Sequence, residues 1–201
     1  MLTIHADSRG WAFAVDGTRI AEAGPLEKLL ADRPRARVRR WPGILTPGLV
    51  NPYGTELLEE TYHPDPREAD ELGTEPLTGD ALTALAMDDA RWGASARRGV
   101  QRMLAHGTVA AACESFRNRA VRDAVRRSGL GMVDRTGRPP GAPSLDPYAG
   151  GRPGEFAPPR ESGSAARFAV FDVPDEAALV ERGAATCVAT VLEGRLVYRR
   201  R

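Results

Sequence analysis

Hydrophobic and polar positions alternate at the two ends of the chain and follow a helical rhythm in its middle. Met1 to Ala6 alternates weakly and predicts a first strand; Trp11 to Val15 predicts a second and Thr18 to Ala23 a third. Asp16-Gly17 between the last two is a hairpin signal, because both residue types tolerate positive φ. Pro25 to Leu30 predicts a short helix with proline in its first turn. Arg35 to Trp41 predicts a fourth strand, with Val38 and the run from Ile44 to Leu49 directed at the core. Pro42-Gly43 and Pro47-Gly48 bracket Ile44-Leu45-Thr46. Two such turns around aliphatic residues mark a chain passing from one sheet to another.

The rhythm changes after Asn51. Residues 56–75, ELLEETYHPDPREADELGTE, are acidic and poor in apolar side chains. Pro64 and Pro66 stop any long helix, so a solvated loop or lid with one helical turn is expected, anchored by Leu57-Leu58. Thr78-Gly79-Asp80 opens a helix carrying Leu82, Leu85, Ala86 and Met87. A second helix is predicted from Ala90 to His106, with Val100, Met103 and Leu104 on one face and Gly107 ending it. Thr108 to Cys113 reads as a buried strand, Asn118 to Ser128 as a helix with Ala120, Val121, Ala124 and Val125 inward, and Leu130 to Val133 as a strand. This alternation predicts parallel βαβ construction. Residues 134–165 are dense in Pro and Gly and read as a linker or surface loop. Order returns with a strand from Phe168 to Asp172, a helix from Asp175 to Arg182, and a strand from Thr186 to Val191. Glu193-Gly194 then makes a hairpin into Arg195 to Tyr198.

Three stretches carry a family resemblance. Pro47-Gly48-Leu49-Val50-Asn51 resembles the strand-linking segment of the amidohydrolase superfamily, which leads there into an x-His-x-His metal motif. His106-Gly107-Thr108-Val109 resembles the start of that family's second barrel strand. The ending VLEGRLVYRRR resembles the family's C-terminal segment, which returns to the N-terminal sandwich. The likeness is greatest to imidazolonepropionase and the aminodeoxyfutalosine-type deaminases. It implies an α/β (α+β) fold: a β-sandwich composite domain from both termini (1–51 and 166–201), a truncated βα barrel remnant (52–133), and the Pro/Gly segment (134–165) in place of most of the barrel.

The family's metal makes hydroxide near neutral pH, and its first two ligands are imidazoles two apart on a strand. Here Tyr53 and Thr55 stand in those places, and a phenol or neutral hydroxyl is a poor ligand for a borderline-soft ion. The chain has three histidines in all, His5, His63 and His106, and a single lysine, Lys28. No cofactor is therefore expected. The resemblance implies a non-catalytic amidohydrolase-like (imidazolonepropionase-like) protein that binds a small molecule or a partner enzyme. The alternatives are a hydrolase of non-peptide C–N bonds whose site another chain completes, and a purely structural protein.

Composition narrows the partners. The net charge is +1 over 201 residues, which argues against a nucleic-acid or anionic-membrane surface. No run approaches the roughly 20 apolar residues of a membrane helix. The N-terminus lacks a signal pattern, so a cytoplasmic product is expected. The preference for Arg over Lys, with abundant Ala, Gly and Pro, points to a GC-rich, bacterial coding sequence. Three parallel strands cannot close an eight-stranded barrel, and open edges need cover, so a homodimer or partner enzyme is expected.

Seven residues are candidates for ligand contact: Asn51, Tyr53, Thr55, Glu56, His63, Cys113 and Glu114. Each has a commoner role beside the functional one. Asn51 is a turn residue satisfying backbone groups, and Tyr53 a packing residue with a bonded hydroxyl. Glu56 is a solvated carboxylate, or else a general base or an acceptor for a ribose-type hydroxyl. His63 is a surface histidine, or pairs with Asp65 or Glu60. Cys113 follows a strand, where α/β folds place their sites, yet no base for a nucleophilic thiol is visible, and a core thiol is the plainer reading. Cys187 is another core thiol. The run from Glu59 to Glu75 is a solvated loop, a contact for a basic partner or an oxygen site for a divalent ion. Arg199-Arg200-Arg201 is a solubilising tail.

Overall fold

The structure is a computed structural model that describes residues 2–157 and 162–200. In chain order the strands and helices are β1 (Thr3–Ala6), β2 (Trp11–Asp16), β3 (Arg19–Pro25), α1 (Leu26–Asp32), β4 (Arg37–Arg40), β5 (Ile44–Pro47) and β6 (Leu49–Asn51). Then come α2 (Gly54–Leu58), α3 (Ala69–Leu72), α4 (Gly79–Thr83), α5 (Asp89–Leu104), β7 (Thr108–Cys113), α6 (Arg119–Ser128) and β8 (Gly131–Asp134). The chain ends with β9 (Glu155–Phe156), β10 (Phe168–Phe171), α7 (Glu176–Arg182), β11 (Cys187–Leu192) and β12 (Arg195–Arg199). It divides into two compact units, 1–50 with 104–109 and 146–201, and 51–103 with 110–145. The α/β character expected from the sequence is observed. Among the described residues no helix is long and apolar enough to cross a membrane.

The first unit holds two four-stranded sheets, β3-β2-β1-β4 and β12-β11-β10-β5. Phe13, Val15 and Ile20 of the first sheet share one core cluster with Leu45, Phe168, Val170, Ala189 and Val191 of the second. Strand alternation sends Ala12 and Ala14 to the opposite face, where they meet Ile4, Ala6 and Leu26 and Leu29 of α1. On the outer side of the second sheet Ile44, Ala169, Phe171 and Cys187 pack with Leu179 of α7. Each sheet is therefore apolar on both faces, which is why the alternation in the sequence is weak. Each fully buried Phe in these layers contributes roughly 2–3 kcal/mol by area removed from water.

Two details differ from expectation. Val38 is 36% exposed, because β4 is the edge strand, paired only with β1 in parallel register. The first hairpin turns at Gly17-Thr18, one residue later than expected, with Asp16 opposite Arg19 and a bulge at Ala14/Val15.

Gly48 alone separates β5 from β6, and there the chain passes from the sheet of β10–β12 to that of β7. A Cβ on Gly48 would clash with the Val109 side chain, so this passage requires glycine. The Leu49 amide donates to the Gly107 carbonyl at 2.9 Å. β9, from the Pro/Gly-rich segment, pairs antiparallel with β6 and covers its edge.

The second unit carries the βαβ piece. β7 pairs parallel with β8, Ala110 opposite Gly131, and α6 makes the crossover. The Asn118 side chain accepts from the Ala120 and Val121 amides, and Gly129, at φ +78°, ends the helix. Ala96, Val100 and Met103 recur at helical spacing on α5 and are fully buried. The helix opened by Thr78 stops at Thr83, before Leu85 and Met87.

The acidic segment is solvated in its second half, where Asp70, Glu71 and Glu75 are exposed, but not in its first. Tyr62 and His63 are buried, and Tyr62 exchanges backbone hydrogen bonds with Leu77, both 2.8 Å. Asp65 and Glu68 form a capping box. Arg91 donates to the Tyr62 hydroxyl at 3.1 Å and pairs with Glu68 at 2.8 Å.

Candidate functional site

β6 ends at Asn51 and the chain at once winds into α2. Asn51 is fully buried; its Oδ1 accepts from the Tyr53 amide at 2.9 Å and its Nδ2 donates to the Ser144 carbonyl at 2.9 Å. The Tyr53 hydroxyl donates to the Pro140 carbonyl at 2.8 Å. Both residues hold backbone in place, as their plainer readings had it. Tyr53 precedes the helix with φ −106°, ψ 40° and Thr55 lies inside it, so the two do not alternate along a strand.

A cleft of about 670 Å³ opens in the second unit, walled by Thr55, Glu56, Trp92, Glu114, Arg135 and Arg138 among others. An adjoining hollow of about 470 Å³ shares Glu56, Glu59, Glu60, Trp92 and Arg138. Glu56 is 3% exposed, which corrects its reading as a solvated carboxylate. Its Oε1 lies 2.7 Å from Arg135 Nη2 and 3.6 Å from Arg138 Nε. Arg138 also reaches Glu60 Oε2 at 3.1 Å. Glu59 accepts from the backbone amides of Arg117 and Asn118. Glu114 accepts from the Gly137 amide at 3.0 Å. Thr55 Oγ1, Glu56 Oε2 and Arg135 Nε are buried without a hydrogen-bond partner.

The structure thus brings Thr55, Glu56 and Glu114 to one cleft and sets the other four candidates apart. His63 is fully buried, not a surface histidine; its backbone amide donates to Ser95 Oγ at 2.9 Å. Its Nε2 lies 2.7 Å from the Leu57 carbonyl, and burial first, then Arg102 and Arg98, push its pKa down to about 4. Cys113 is buried, and burial raises its thiol pKa, which opposes thiolate formation. Cys187 is buried as well, its thiol pushed up to about 11. Arg135, Arg138 and Trp92 escaped the sequence reading, and Glu60 entered it only as a partner for His63 and within the acidic run. Arg135 directly follows β8, and the carboxyl ends of parallel strands are where such folds gather site residues. That was the signal available. Arg201, placed in a solubilising tail, lies outside the described residues.

No family model matches the chain, and no curated protein does. Among solved structures it is similar to A. niger ochratoxinase, at 18% identity and a TM-score of 0.44, over 66% of this chain and 30% of that one. It is similar to an adenosine deaminase from Xanthomonas campestris, at 16% and 0.42, over 66% and 32%. A third is N-isopropylammelide isopropylaminohydrolase from Burkholderia multivorans, at 20% and 0.44, over 67% and 37%. These neighbours are amidohydrolase-superfamily members. The chain spans about a third of their length. With TM-scores below 0.5 the likeness says nothing about this chain's reaction or ligand.

The residues present do not fit the divalent metal that the family resemblance implies. The Tyr53 hydroxyl is engaged with a carbonyl, and Thr55 offers only a neutral oxygen. Among the described residues no three His, Cys, Asp or Glu side chains converge to hold an ion.

Proposed function

We propose that this chain is an amidohydrolase-like protein whose second unit binds a small polar molecule without hydrolysing it. One observation carries the reading: three unsatisfied polar atoms, on Thr55, Glu56 and Arg135, belong to residues that wall the same cleft. Each buried, unpaired polar group costs about 1–3 kcal/mol, so a polar molecule that bonds any of these groups is stabilised by it. Trp92 adds an aromatic wall. A C–N hydrolase with a site completed by another chain is the second reading. What supports it is the buried Glu56 carboxylate at the cleft, a residue type that serves as a base in such chemistry.

Thermal melting against purines, imidazoles and cyclic amides tests the proposal, since a ligand of the native state raises the midpoint. A saturable rise, lost on Trp92→Ala, is the expected result; silence across the panel would overturn it. Stoichiometric zinc or iron in the purified protein would overturn the non-hydrolytic part. A homodimer or partner enzyme belongs to the same proposal, because β8 ends its sheet and Met132 on it is 44% exposed. Light scattering showing a monomer at all concentrations, alone and with cell extract, would remove that part.

A further inference from the structure

We propose that Glu56 and Glu60 form a seat for a planar N–H-bearing cation, an amidinium or guanidinium, and that the Arg138 side chain fills this seat in the free protein. The inference rests on the cleft being a ligand site. Arg138 bridges the two carboxylates, 3.6 Å from Glu56 Oε1 and 3.1 Å from Glu60 Oε2. Its side chain is nonetheless 60% exposed, and its approach to Glu56 is longer than a hydrogen bond. Exposed ion pairs of this kind hold weakly.

Arg135 is the contrast. It is 13% exposed, donates to the Pro52 carbonyl, and lies 2.7 Å from Glu56 Oε1. Arg135 is the fixed counter-ion of Glu56; Arg138 is the removable one. Removing it leaves a half-exposed Glu60 beside a buried Glu56 whose Oε2 has no partner. A free amidinium carries donors on two nitrogens and is not tethered to one approach direction. It can donate to Glu60 and to Glu56 together, and so makes a charge-assisted bond that Arg138 does not. Trp92 lines both hollows that the carboxylates border, and an indole attracts such a cation. The displaced Arg138 side chain loses little, since it is already largely in water.

The test is calorimetric titration of the full chain and of Arg138→Ala with methylguanidine and benzamidine at constant ionic strength. Arg138→Ala is expected to bind at least about tenfold tighter than the unaltered chain, and Glu60→Gln in that background to lose about tenfold. Tetramethylammonium, a cation without N–H donors, is expected to give no binding. Arg138→Gln keeps the side chain's aliphatic stem without its charge and serves if the alanine variant does not fold; it is expected to behave alike. Equal affinity in both chains, or binding of tetramethylammonium as tight as benzamidine, would overturn the proposal. Neutral acetamide and anionic benzoate separate its failure from that of the cleft reading. If either binds where the cations do not, the cleft is a ligand site and the cation seat is wrong. If no probe binds either chain, both are wrong.

Discussion

His63 turns burial into a measurable dependence on pH. Its Nε2 faces the Leu57 carbonyl, which can only accept, so Nε2 carries the ring proton. Nδ1 is then a bare acceptor, buried and without a partner. Protonation would place a second N–H where nothing receives it, with Arg98 and Arg102 adding repulsion; together with burial, the largest cause, this lowers the pKa from 6.5 to about 4. The direction of the effect follows from the two states. At neutral pH both native and unfolded rings are neutral and the group contributes nothing. As pH falls through 6.5 the unfolded chain takes up a proton that the native one refuses, so stability drops. The loss levels off near pH 4, where the native ring titrates too. Linkage gives a loss of roughly 2 kcal/mol by about pH 5 and about 3 kcal/mol by about pH 4. His63→Gln keeps a donor for the Leu57 carbonyl and does not titrate. Urea unfolding of both proteins at about pH 7.5 and about pH 5 gives the double difference, in which the shared carboxylates and His5 cancel. The unaltered protein should lose about 2 kcal/mol more than the variant. Equal losses would refute the idea that a neutral, half-satisfied imidazole is held in this core.

Three further substitutions probe the framework. Gly48→Ala pushes a methyl into Val109 and should cost at least about 2 kcal/mol, read as a lower urea midpoint; an unchanged midpoint would mean the β5–β6 passage is looser than described. Asn118→Ala removes the cap of α6 and should cost about 1 kcal/mol in the same assay, with Asn118→Ser nearly neutral. Tyr62→Phe deletes the hydroxyl shared by Glu68 and Arg91 and should cost about 1–2 kcal/mol; a change below a few tenths would show that network to be ornamental.

Periodicity was legible wherever one face of an element meets a core. The buried positions Val100, Met103, Val121 and Val125 were all found from spacing alone, and so was the parallel β7–α6–β8 unit. Edge position is a tertiary property, and Val38 shows it: nothing in RVRR says that β4 has a neighbour on one side only. The acidic segment misled for a different reason. Counting charges treats every carboxylate as solvated, yet Glu56 pairs with Arg135, Glu59 receives two backbone amides and Glu68 receives Tyr62 and Arg91. Apart from Tyr62 and the capping box, their partners lie 23 to 79 residues away, beyond any local pattern. The cleft was half legible. Glu114 stands just after a predicted strand and Glu56 reads as a candidate base, while Arg135 and Arg138 sit at the start of a segment that reads as linker.

The winding of the chain after Asn51 also predicts that the missing histidines cannot simply be restored. Two residues apart on a strand share a face, and the pair Tyr53 and Thr55 would then need only imidazoles to bind a metal. In this structure Tyr53 immediately precedes α2 and Thr55 is its second residue. At 3.6 residues per turn, two positions apart differ by about 200° around a helix axis, so the side chains diverge. Gly54 between them lies against the Ala112 carbonyl, 2.7 Å from where a Cβ would stand, which holds the turn close to β7. The variant with both Tyr53→His and Thr55→His should therefore compete for zinc with a chromogenic chelator no better than the unaltered chain. Stoichiometric, tight zinc in that variant would show that residues 53–55 can extend as strand, and the carboxylate and guanidinium wall of the cleft would then be only one of two arrangements open to this segment.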